Sequence, residues 1–142
     1  MGRTITHMRT AIPTLMLLAG FTLCVASAVH FGVPIPLGVV TVSDPFAGAA
    51  VPELILGIVM LASGLAATAR VQGAWLIAIV STGFSLLLTL YGTSITVGSA
   101  DWGDVSYHAV LLTVLGVILV LLVAARRGQA RRGAVASARG GH

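Results

Sequence analysis

Four long apolar stretches alternate with short polar or proline-bearing breaks along the 142-residue chain. The first covers 11–31, follows a polar start containing Arg3, His7 and Arg9, and stops before Pro34 and Pro36. Each of those prolines removes a backbone donor and clashes with the preceding turn, so a helix does not run through them. The others cover 52–69, 74–91 and 105–125. A helix needs about 20 apolar residues to cross the hydrocarbon core of a bilayer. The pattern therefore predicts an all-α membrane protein built as a four-transmembrane-helix antiparallel bundle. Residues 1–10 read as a cytoplasmic N-terminus, 11–125 as the membrane domain, and 126–142 as a basic, disordered cytoplasmic tail rich in Gly and Ala.

The breaks refine this picture. Pro13 and Pro52 fall near expected helix starts, where a missing N–H costs little. Glu53 is then expected in a first turn, at the positive end of the helix dipole, with Arg70 at the negative end. The link 70–73 is so short that the second and third helices must be antiparallel neighbours. Gly57, Ser63, Gly64 and Ala67 offer small residues for close helix packing. Ser81, Ser85 and Thr89 form a row of hydroxyls expected to bond back to helix carbonyls. Asp104 is placed to N-cap the fourth helix. The connections at 38–42 and 94–97 are rich in β-branched residues, which suits irregular apolar loops or short strands. If both are strands, they are expected to pair as a hairpin-like cap on the extracytoplasmic side, supported by the helices beneath.

One competing reading concerns the first stretch. Basic residues, an apolar core and the triplet Ala26-Ser27-Ala28 also describe a cleavable signal peptide. The apolar run continues past the triplet to Phe31, which favours a retained span.

Composition agrees with the pattern. Hydrophobic residues make up 57% of the chain and charged ones only 8%, with a mean hydropathy of +1.03. A soluble domain carries about 25% charged residues. Four spans also leave no room for a separate catalytic domain. The single cysteine, Cys24, has no partner for an internal disulfide and reads as a small apolar helix residue. All eight basic residues are Arg, which together with abundant Ala, Gly and Val suggests a GC-rich bacterial genome and a cell-membrane location.

Charge then orients the chain. With the N-terminus inside, Arg3, Arg9, Arg70, Arg126, Arg127, Arg131 and Arg132 all fall on the cytoplasmic side, near lipid headgroups. Asp44, Glu53, Asp101 and Asp104 all fall outside. The arginines flank spans and form no groove with interleaved aromatics, so the lipid bilayer is the expected partner and nucleic acid is not. Other membrane subunits, or a second copy, remain open as partners.

Candidate chemistry gathers at the outer side. His30, Glu53, Tyr91 and His108 come from four different spans at one depth, and Asp104 lies four residues before His108 on the same helix face. Ionisable residues at membrane depth are costly and commonly mark a site. The same residues also fit interface anchors and helix caps. Two His and one Glu would supply three ligands of a zinc-like site, without any local spacing motif. No metal or cofactor is specified.

Three functions stay open. The leading one is a structural or accessory subunit without its own catalysis, suggested by small size and polar-poor spans. The second is a protein that binds a small molecule, quinone or metal through the outer cluster. The third is a small transporter, supported only by the Ser81, Ser85 and Thr89 row and weakened by the lack of mid-span ionisable residues. In size and span count the whole chain resembles many small four-span bacterial proteins, including DoxX-like ones tied to quinone chemistry. It shares with them no motif that matches residue by residue.

Overall fold

A computed structural model of the chain describes residues 2–99 and 102–140. The elements in order are α1 (Gly2–His30), β1 (Ile35–Leu37), β2 (Val40–Val42), α2 (Ala47–Thr68), α3 (Ala74–Ser99) and α4 (Trp102–Gly140). All four helices are long and apolar enough to cross a membrane, along Thr10–His30, Gly48–Thr68, Ala74–Gly98 and Trp102–Ala130. This is a small multi-pass membrane protein.

Each helix packs against two others, α1 on α2 and α4, and α3 on α2 and α4. The core is a set of helical stripes: Ile12, Met16, Ala19 and Leu23 from α1, and Leu111, Leu115, Ile118 and Leu122 from α4. Steps of three and four residues keep such side chains on one helix face. Leu56 and Met60 of α2 and Ala78 of α3 complete the cluster.

The α1–α2 seam is the tightest contact, and glycines set it. A Cβ added at Gly57 would come within 2.5 Å of Cys24 Sγ and 2.9 Å of the Gly20 carbonyl oxygen, while one at Gly20 would meet the Gly57 carbonyl oxygen at 2.9 Å. Small residues let helix backbones approach closely where lipid offers no hydrophobic drive to pack. The Ser27 hydroxyl donates across the same seam to the Ala50 carbonyl at 2.6 Å.

Two helices end in the same motif with different residues. At the end of α1, Val33 N–H bonds to Ala28 and Gly32 N–H to Val29, with Gly32 at φ +84°. At the end of α2, Val71 N–H bonds to Ala66 and Arg70 N–H to Ala67, with Arg70 at φ +57°. Both are Schellman caps, which need a left-handed residue. Gly73, at φ +78°, then turns the chain into α3.

Several expectations are corrected. The segment Ser94-Ile95-Thr96-Val97 is helical, because α3 runs to Ser99. Its polar residues are absorbed by the helix: Thr93 donates to the Thr89 carbonyl, Ser94 to Tyr91, and Thr96 to Gly92 and Thr93. A spanning helix also satisfies every backbone group internally, which an isolated strand cannot do. The small sheet forms instead within the first connection, β1 against β2 antiparallel, with Leu37 opposite Val40. Gly38, at φ +67°, occupies the first position of the two-residue turn, as a type II′ hairpin requires. Pro36 is tolerated there because a two-stranded ribbon has only edges.

The starts of α1, α2 and α4 also lie earlier than expected, while α3 begins at Ala74 as expected. Pro13 and Pro52 sit inside their helices rather than in first turns. Glu53 is therefore no dipole cap, and Asp104 lies in the first turn of α4 rather than at its N-cap. Helix α4 continues to Gly140, where a disordered tail was expected. Its Ala and Arg residues favour helix. Asp101 and His142 lie outside the described residues.

Candidate functional site

The cap at the end of α1 turns the chain back over the helix ends, and the Phe46 N–H bonds to the His30 carbonyl at 2.9 Å. That clamp holds His30 beside α2. Its ring is buried, with Phe46 standing edge-on at a centroid distance of 6.2 Å. His30 Nδ1 lies 2.7 Å from Glu53 Oε2, and both side chains are buried. On the ring's other side, Nε2 lies 3.7 Å from Oδ2 of half-exposed Asp44. With a proton on Nδ1, the ring donates to the Glu53 carboxylate and turns Nε2 toward Asp44.

A second pair comes from α4. His108 Nδ1 lies 3.1 Å from Asp104 Oδ1 and 2.9 Å from the Asp104 carbonyl oxygen. Its ring packs edge-on against Tyr107, and its Nε2 faces Gly92 of α3, where an added Cβ would approach to 3.3 Å. Gly92 thus makes room for the imidazole. Glu53, Asp104 and His108 line one cleft, which brings the two pairs to a common site.

The cluster is incompletely satisfied. Glu53 Oε1 and the Tyr107 hydroxyl are both buried and make no hydrogen bond of full geometry, while the two side chains interact with each other. A buried polar atom left unpaired costs about 1–3 kcal/mol. Beside these atoms opens a cleft of about 440 Å3 between α2, α3 and α4. Glu53, Asp104, His108, Thr89 and Thr96 supply its polar lining, and Leu56, Leu88 and Leu111 are among its apolar walls. Val51 and Ile55 of α2 and Phe84, Tyr91 and Ile95 of α3 line it too, and each is about half exposed or more. The mouth therefore lies between α2 and α3, on the exposed side of the helices.

Of the residues singled out from the sequence, His30, Glu53, Asp104 and His108 come together. Tyr91 does not join them, and its exposed ring sits on the rim. Tyr107 was missed, as was Asp44 as a partner of His30. Tyr107 lies one turn before core residue Leu111, and that register is the signal that would have found it. Among the described residues no three His, Cys, Asp or Glu side chains converge to hold a metal ion. In the α3 hydroxyl row, Ser81 bonds back to the Ala78 carbonyl, whereas the buried Ser85 hydroxyl has no partner.

Arg70, Arg126 and Arg127 are exposed. Arg70 is separated from Glu53 by about 25 Å of helix rise along α2. The side chains of Arg3, Arg9, Arg131 and Arg132 lie outside the described ones. Compared with known proteins, the chain matches no family model, no curated protein and no solved structure.

Proposed function

We propose that this protein binds a small amphiphilic molecule of the bilayer in the cleft between α2, α3 and α4. The carrying observation is the cleft itself: Leu56, Leu88 and Leu111 wall it, and Glu53, Asp104 and His108 stand together on its lining. The polar end of a ligand would meet these three side chains, and its apolar body would lie along the leucine-lined walls. Sites of this kind are mostly apolar with a few convergent polar groups. A mouth on the lipid-facing side suits a molecule that arrives through the membrane.

In this reading the chain is a four-helix antiparallel bundle in a bacterial cell membrane, with both termini cytoplasmic. The β1–β2 hairpin and the cleft lie toward the extracytoplasmic face. The separation of arginines from carboxylates along the chain supports that orientation.

Native mass spectrometry of protein released from nanodiscs of its host's lipids tests the binding. The wild type should carry a retained lipid-soluble adduct, and Ile55→Trp, which fills the mouth, should lose it while remaining folded. Equal adducts on both would contradict the reading and favour the accessory-subunit alternative.

A further inference from the structure

We infer that His30 is a proton relay joining the aqueous surface at Asp44 to the Glu53 carboxylate in the cleft. The inference extends the proposed ligand site, giving it proton exchange with water, but its geometry exists without any ligand. Three titratable groups stand in a line: half-exposed Asp44, buried His30 and buried Glu53, with the imidazole's two nitrogens facing the two carboxylates. A histidine that served only to neutralise Glu53 would need one nitrogen. Here the second nitrogen points at the one member of the line that reaches solvent.

The inner step is a formed hydrogen bond of 2.7 Å. The outer gap of 3.7 Å exceeds a direct hydrogen bond, and either a turn of the exposed Asp44 side chain or one bridging water closes it. Phe46 against the ring and the clamp from its N–H to the His30 carbonyl hold the imidazole between its partners. The other groups facing Glu53 are Asp104, His108 and Tyr107, all from α4. None of them is half exposed, as Asp44 is.

The proton balance closes without any other reactant. In uptake, Nε2 takes a proton from the Asp44 carboxyl, directly or through one bridging water, and the Nδ1 proton passes to Glu53 Oε2. The ring is left protonated at Nε2 and Glu53 becomes neutral. In release, Glu53 returns its proton to Nδ1 and the Nε2 proton leaves to the Asp44 carboxylate by the same route. One uptake and one release restore the starting tautomer, so the ring need not rotate.

The test uses full-length, unliganded protein in nanodiscs, followed by infrared spectroscopy after a pH jump. The Glu53 carboxyl band is assigned by its loss in Glu53→Gln. Asp44→Asn, on an exposed side chain, should slow the response of that band at least about tenfold. His30→Ala should slow it further, and added imidazole should restore the rate. Unchanged rates in Asp44→Asn would overturn the relay, even if His30→Ala fails to fold. Because no ligand is present, a failed relay and an empty cleft are separate results.

Discussion

Helix α2 has two unlike neighbours. Against α1 it closes through Gly20 and Gly57, so tightly that a single added carbon has no room. Against α3 it is joined by a short turn capped at Arg70, yet the two helices stand apart at the opposite end and leave the cleft. One face of α2 is a seam and the other is a wall. Glu53 is where the two meet: it takes its partner His30 from the seam side and also lines the cleft. The difference teaches that close packing on one side of a helix can hold a buried carboxyl group in place while the other side stays open as a cleft.

The strongest way to break that contrast is to load the seam. Gly57→Leu should destabilise the protein by about 3 kcal/mol, because overpacking forces backbone and side-chain shifts. Thermal unfolding in detergent checks this, and an unchanged midpoint would show that the seam is not as tight as the distances imply. At the turn, Arg70→Gly should stabilise by about 1 kcal/mol, since glycine enters the left-handed region without a Cβ penalty. The smallest effect belongs to Gly83→Ala on α3, where nothing lies within 4 Å of the added carbon. There the helix should gain about 0.5–1 kcal/mol. Opposite signs for Gly57 and Gly83 in one unfolding assay would sharpen the comparison.

The spans, and the few ionisable residues at their ends, were legible in the sequence for simple reasons. Hydrophobic length is a property of the chain itself, and the single ionisable residues stood out against apolar runs. The ends of elements were harder to read. Thr93, Ser94 and Thr96 have the look of a strand, and only their bonds back to helix carbonyls show how α3 keeps them. Glu53 looked like a cap because Pro52 marks so many helix starts, whereas α2 begins earlier, at Ala47. The local pair Asp104–His108 follows from i,i+4 spacing, whereas the long-range one does not: that His30 meets Glu53 and Asp44 depends on the Gly32 turn and the Phe46 clamp, which are tertiary facts.

The central claim is that the wall side of α2 is a binding site rather than an ordinary lipid-facing surface. Photolabelling in nanodiscs with a long-chain alcohol carrying a diazirine next to its hydroxyl tests it most directly, with labelled residues located by peptide mass spectrometry. The account expects labels concentrated at residues 49–56 and 88–96, and their loss from those segments in Glu53→Ala. Labels spread evenly along all four lipid-exposed helix faces, unchanged by that substitution, would contradict it.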